Sequence, residues 1–552
     1  MAKRLGQQAA LQQLSRALSS GGSSKPGFST APQPVYAEQL DGRKKGREWQ
    51  APLSVPLAGF EEAAAAAARP GGHPTPFSTA LTTLPSGIRV ATEPSTGEYC
   101  TIGVLADAGS RYEVAYPSGL THLMEKLAFM STASYPDREA LFNALELNSG
   151  ICDAQGTKDT FIYAASCHVS GAGEVLGLLA DSMLRPLVSE EELAAAKTAL
   201  NFELEDLENK PERDSILHDL IYAAAFRDNT LGLPKICPPE NVELMSREML
   251  FAFASKLLRP ERLVIAGVGL DHELLVQAAT QHFEEKQAIW QSDPKGSLPR
   301  TQTVPQLDSS LAQYTGGCVK VERDLSIFNF GPSPFPNLAH ISIGLEGVSF
   351  RDEDFVPVCV LHSMLGGGGS FSAGGPGKGM YTRLYTNILN RHHYFYNATA
   401  MNHAYSDAGL FCIQASMPPN KLGAGVGIVV HQMLQLAEAP GAEELARAKN
   451  MLKSMLMMNL EARPVQFEDL GRQILGHGRR KNPFSYIKEI EAVTAEDIQR
   501  VGRRMLKSKP ALVGYGDLSH LPDYAKVEEC FATASTKPLS PSKRSLASIF
   551  GS

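Results

Sequence analysis

His122, Glu125 and Lys126 stand in the stretch Gly119-Leu120-Thr121-His122-Leu123-Met124-Glu125-Lys126-Leu127-Ala128-Phe129. On a helix, side chains three and four apart share a face. A helix reading His-x-x-Glu-His holds zinc between its two imidazoles, and the intervening Glu activates water. Here the first His and the Glu are in place, and Lys126 stands where the second His would be. Catalytic zinc takes three neutral or anionic protein ligands plus water. A protonated amine has no lone pair to offer and brings positive charge to the metal's place; an ordinary lysine titrates near 10.4. The spacing therefore predicts no metal of catalytic strength in this chain and no catalytic residue. Lys126 is expected to pair with Glu125 or Glu203 instead.

A second chemistry-bearing stretch is glycine-rich. Residues 366–379 contain eight glycines in fourteen positions: Gly366, Gly367, Gly368, Gly369, Gly374, Gly375, Gly377 and Gly379, with Ser370, Phe371, Ser372 and Lys378 among them. A phosphate-cradling P-loop needs Gly six positions before its Lys and Ser or Thr after it, and Ser372 and Gly379 occupy those places. The dinucleotide pattern fails as well, since Ser372 stands where its third Gly belongs. What remains is a side-chain-poor loop, with Phe371 as its one large apolar handle, expected to be mobile at the mouth of a cleft.

These stretches sit in a chain that repeats itself. Glu191-Glu192-Leu193-Ala194-Ala195-Ala196-Lys197 recurs as Glu443-Glu444-Leu445-Ala446-Arg447-Ala448-Lys449, an offset of 252. Each copy opens a long helical pattern ending near a proline, Pro211 and Pro464. The strand-like run at 160–166 corresponds to 409–416, and the run from Arg259 to that from Lys509. Within each half, strands and helices do not alternate regularly, which favours α+β over a parallel doubly wound sheet. The expectation is two homologous lobes, each a mainly antiparallel sheet packed with helices, at 76–290 and 330–535, enclosing a central cleft. Residues 291–329 read as a linker and 536–552 as a tail.

Residues 1–37 contain Lys3, Arg4, Arg16 and Lys25 and no acid, with Leu5, Leu11, Leu14 and Leu18 able to share one helix face. A basic, acid-free amphipathic start predicts a mitochondrial transit peptide, and 38–75 reads as poorly ordered. The 552 residues carry a net charge of −7, and taking away those four cations leaves −11. That balance argues against a nucleic-acid-binding body and suits a cationic partner. Eight scattered cysteines without a C-x-x-C pair read as small residues of a reducing compartment. The longest uncharged run, 355–377, is too glycine-rich to span a bilayer.

The chain resembles one family, the alpha subunits of the mitochondrial processing peptidase, within the pitrilysin-type metalloproteases. The resemblance rests on the block from His122 to Phe129 and on Phe202-Glu203-Leu204-Glu205-Asp206-Leu207. It extends through Ala312-Gln313-Tyr314-Thr315-Gly316-Gly317, residues 366–383, Leu389-Asn390-Arg391-His392-His393 and 455–463, covering about 76–530. It implies a heterodimer whose beta subunit carries the intact zinc motif, so zinc is expected in that partner and no cofactor in this chain. The family's third ligand is a Glu about 76 residues beyond the second His. Glu203 stands 77 positions after Lys126, so His122 and Glu203 survive while Lys126 departs. The resemblance also implies that residues 366–379 help capture the basic presequences of imported precursors in the matrix. Glu346, Glu353 and Asp354 are candidate acidic contributors near that loop. A competing expectation, from similar proteins, is a scaffold core subunit of the respiratory cytochrome bc complex on the inner membrane, or both roles in one chain.

Overall fold

The computed structural model describes residues 77–227, 230–291, 305–329, 335–369 and 379–539. The transit-peptide reading of 1–37 and the 38–75 segment lie outside the described residues, as do 292–304 of the linker and the tail from 540. Residues 74–552 form one compact unit.

Apolar, β-branched runs build two six-stranded sheets. The first contains β1 (Ala80–Thr83), β2 (Arg89–Glu93), β3 (Tyr99–Ala106), β4 (Ile151–Gly156), β5 (Phe161–His168) and β6 (Leu263–Val268), in the order β1-β2-β6-β3-β5-β4. The second contains β7 (Gly317–Glu322), β8 (Ala339–Glu346), β9 (Gly367–Gly369), β10 (Asn397–Ala404), β11 (Gly409–Met417) and β12 (Ala511–Gly516), in the order β7-β12-β8-β11-β10-β9. The β2–β6 and β7–β12 pairs are parallel and all other pairings antiparallel. Five strands thus recur in the same order and sense. The first sheet adds β1 at one edge and the second adds β9 at the other. The α+β two-lobe fold and the internal repeat are both present.

Two boundaries read from the sequence change. The linker does not run to 329, because Gly317–Glu322 is β7, which completes the second sheet by pairing with β12. The halves are also not self-contained. Helix α1 (Leu120–Leu127), α2 (Ala172–Leu184) and α3 (Glu190–Asn209) stay with the first lobe, but α4 (Asp214–Ala225) crosses to the second sheet. There Leu217, Ile221 and Tyr222 are buried among Leu410, Cys412, Ala511 and Val513. In return, of α5 (Phe355–Leu365), α6 (Leu422–Leu434), α7 (Ala442–Asn459) and α8 (Arg463–His477), the last packs on the first sheet. Phe467, Leu470 and Ile474 lie there against Leu105, Val264 and Ala266. Burying each such side chain is worth about 1.5–3 kcal/mol.

Close approach makes this exchange possible. A Cβ on Gly103 of β3 would stand 2.6 Å from the Phe467 ring, and one on Gly471 would stand 2.2 Å from Leu105 Cδ1. Polar ties fasten the lobes as well. Buried Arg111 grips Asp407 through both its terminal nitrogens, at 3.0 and 2.6 Å. Lys158, in the turn between β4 and β5, pairs with Asp219 on α4 at 2.9 Å. Among the described residues, no helix is long and apolar enough to cross a membrane.

Candidate functional site

Helix α1 is short, and its start is fixed from outside. The Glu113 carboxylate accepts the Gly119 and Thr121 backbone N–H groups at 2.6 Å each. That satisfies two donors a helix N-terminus leaves open and places acid at its positive pole. Glu113 is fully buried, and the loss of water pushes its carboxyl up to about 7. Leu120, Leu123 and Leu127 anchor α1 in the first core, and His122 lies on the same buried side.

Helix α3 approaches α1 alongside. Its start carries a capping box between Ser189 and Glu192, and Leu193, Ala196, Leu200 and Leu204 form its buried stripe. This brings Glu203, next to Leu204, up to α1. Of the two carboxylates open to Lys126, Glu203 takes it: Lys126 Nζ and Glu203 Oε2 form an ion pair. His122 Nε2 lies 3.4 Å from the same oxygen. The His122 bond and the Lys126 ammonium together hold the Glu203 carboxyl down at about 2. The Cys237 backbone N–H donates to His122 Nδ1 at 3.3 Å. With Nδ1 accepting, the neutral ring carries its proton on Nε2, directed at Glu203.

These residues do not fit a zinc ion. Tetrahedral ligation at about 2.0–2.2 Å would need Nε2 and Oε2 as lone-pair donors. Oε2 is taken by an ammonium, and Nε2 carries the ring's proton for as long as Cys237 donates to Nδ1. The third ligand position is the ammonium itself. Glu125, the water-activating residue of the intact motif, is turned elsewhere: its Oε1 accepts the Gly156 N–H at 2.6 Å and lies 3.5 Å from Lys235 Nζ. Among the described residues, no group of three or more His, Cys, Asp or Glu side chains is arranged to hold a metal ion.

His122, Glu125 and Glu203 open onto a cavity of about 680 Å³ whose far wall is Met401, Asn402 and His403 of β10, so both lobes line it. Lys158 and Asp219, which also line this cavity, were not picked out by the sequence. Lys158 Nζ also donates to the Leu233 carbonyl at 2.6 Å and lies 4.8 Å from the centre of the Tyr222 ring. Tyr222 and Tyr405 share a hydroxyl hydrogen bond at 2.6 Å. No motif announces this cluster, since Lys158 and Asp219 are 61 positions apart and each looks like a solvated charge.

The glycine stretch is rooted on β10. Gly367, Gly368 and Gly369 are not loop but the edge strand β9, paired with Asn397, Ala398 and Thr399. Gly366 and Gly367 have φ of 55° and 102°, and a Cβ on Gly367 would stand 2.1 Å from the Ala398 carbonyl oxygen. Only glycine fits there. At the far end, Gly379 has φ 80° and its carbonyl accepts the Thr382 hydroxyl at 2.8 Å. Ser370, Phe371, Ser372, Gly374, Gly375, Gly377 and Lys378 lie outside the described residues. From Thr399 to the cavity wall at Met401–His403 is two to four residues of strand, about 7–13 Å. The glycine stretch is thus rooted on the strand that lines the cavity opposite the altered metal motif.

Of the acidic candidates, Asp354 is corrected. It is buried and accepts from Arg500 and, at 2.9 Å, Arg504, so its charge is spent inside the second lobe. Glu346 and Glu353 are exposed, and partial burial raises the Glu346 carboxyl.

Family models match the two halves separately: Insulinase (Peptidase family M16) over residues 89–239 and Peptidase M16 inactive domain over 245–452. The chain is 45% identical over 524 residues to the mitochondrial-processing peptidase subunit alpha of Bos taurus, covering 95% of this chain and 96% of that one. The subunit alpha of Caenorhabditis elegans is 45% identical over 88% and 94% of the two chains, and that of Neurospora crassa 33% identical over 79% and 84%. A two-lobe peptidase fold, a metal motif closed by an ammonium and likeness over nearly the whole length meet in one conclusion: the chain belongs to the alpha-subunit family of the mitochondrial processing peptidase.

Proposed function

We propose that this chain is the non-catalytic, presequence-recognising subunit of a heterodimer, presenting imported precursors to a zinc-bearing beta subunit in the mitochondrial matrix. The observation that carries the reading is the Lys126 ammonium on Glu203, where a metal would need both positions as ligands. What the chain retains is the means to hold a segment: a cleft walled by both lobes and a glycine stretch rooted on β10, the strand that forms one wall of it. A basic presequence meets an acidic protein, and its encounter is favoured by that charge. Side-chain-poor backbone on the edge strand beside β10 allows close approach and offers main-chain donors and acceptors to partners of varied sequence.

The test is removal of residues 370–378 in the reconstituted heterodimer, leaving β9 and the Gly379 turn in place. Presequence affinity is expected to fall at least tenfold with assembly intact. Unchanged precursor processing by that heterodimer would overturn the role given to the glycine stretch. Co-purification from mitochondria separates this reading from a scaffold role: a two-chain peptidase is expected, not a haem-bearing membrane complex.

A further inference from the structure

The chain has 16 methionines, and among the described residues the clearly exposed ones are Met380, Met455 and Met458, at 39%, 40% and 59%. They are neighbours. Met451, Met455 and Met458 fall at i, i+4 and i+7 on one face of α7. Met380, Tyr381 and Met451 line one surface depression with Gly379, and a Cβ on Gly379 would stand 3.5 Å from Met451 Sδ. Tyr381 is 75% exposed. The patch begins where the glycine stretch ends.

The repeat adds a second observation. The 252-residue offset that relates Glu191 to Glu443 places Met455 at the position of Glu203. The face that presents a carboxylate on α3 therefore presents thioethers on α7. At the end of this face, past Met458, lies exposed Glu461. An apolar stripe ending in negative charge is complementary to a segment with one apolar side and one cationic side. Methionine is unbranched and polarisable and adapts to apolar partners of differing shape. A contiguous exposed apolar patch marks an interaction surface.

We propose that Met380, Tyr381, Met451, Met455 and Met458 form a docking face for the apolar side of basic amphipathic leader segments, with a cation of the leader at Glu461. This rests on the presequence-binding reading above and adds where the leader's apolar side is read.

The test uses the reconstituted heterodimer, treated with chelator to stop cleavage, and a fluorescent peptide of residues 1–37 of this chain as probe. Replacing Met380, Met455 and Met458 together by Ser is expected to weaken peptide binding about tenfold or more. Replacing the same three by Leu keeps apolar volume and is expected to hold affinity within about threefold. Leu147→Ser with Ile151→Ser, exposed apolar residues elsewhere at 86% and 76%, serves as control and is expected to change nothing. A photo-crosslinking residue at Met455 is expected to capture the peptide. Equal binding by wild type and the Ser variant overturns the docking face while the presequence reading stands. Capture of the partner subunit alone, or equal loss in the control, also overturns it. A wild-type heterodimer that fails to bind the peptide overturns both.

Discussion

Replacing Lys126 by His should turn this chain into a zinc binder, and the size of the gain can be worked out. Neutralising an ordinary lysine at pH 7.5 costs about 4 kcal/mol, and Lys126→His removes that cost, supplies an imidazole and frees Glu203. The two surviving ligand atoms already stand 3.4 Å apart, close to the edge of a tetrahedron around zinc. In wild type and variant alike, zinc on Nε2 drives the ring proton onto Nδ1, against the Cys237 N–H. One buried hydrogen bond is lost and two donors face each other, for about 1–3 kcal/mol. That cost is common to both and cancels, so the gain is about 4 kcal/mol, or roughly a thousandfold in affinity, before the added ligand is counted. Lys126→Met, which removes the charge without supplying a ligand, should fall between the two. Cobalt(II) absorption in the visible range and competition with a chromophoric chelator read the site directly on the isolated chain. Equal metal affinity for wild type and Lys126→His, whether both bind or neither does, would refute the reasoning.

Two further outcomes follow from the helix that carries the site and from the lobe exchange. Glu113 is held at about 7, above the value near 4.3 of an unfolded chain, so the fold favours its protonated form. Its stabilising contribution is present below the unfolded value and is lost as pH rises through about 7, amounting to roughly 4 kcal/mol. The thermal midpoint of the wild type should therefore fall more between pH 5.5 and 8.5 than that of Glu113→Gln; parallel pH profiles would contradict the assignment. Phe467→Ala removes the largest side chain that α8 sets on the first sheet and should cost about 3–5 kcal/mol in chemical denaturation. A loss below about 1 kcal/mol would mean that α8 does not hold the lobes together.

The repeat could be read from the sequence because its landmarks are local: a charged helix start at Glu191 and Glu443, and a Pro-led strand after Arg259 and Lys509. The exchange of α4 and α8 could not. The stripe Leu217–Ile221 or Phe467–Leu470–Ile474 tells that a helix buries one face, and carries no information about which sheet covers it. Gly317–Glu322 reads as linker because an edge strand of half-buried residues has a weak alternating pattern next to a Ser- and Pro-rich stretch. The altered site was legible in His122, Lys126 and, through the family spacing, Glu203. Its remaining determinants were not, because the Cys237 and Gly156 donors are main-chain groups with no residue-type signature. Asp354 looked like a free acid for the opposite reason: Arg500 and Arg504, which neutralise it, lie about 150 positions away.

Native mass spectrometry of the purified heterodimer, followed by dissociation into its two chains and a cleavage assay on each, tests most directly whether Lys126 has closed the metal site. Zinc is expected on the partner chain alone, with this chain running at its metal-free mass and leaving a presequence peptide uncut. A zinc adduct retained by this chain through His122 and Glu203, together with peptide hydrolysis by it in isolation, would contradict that expectation.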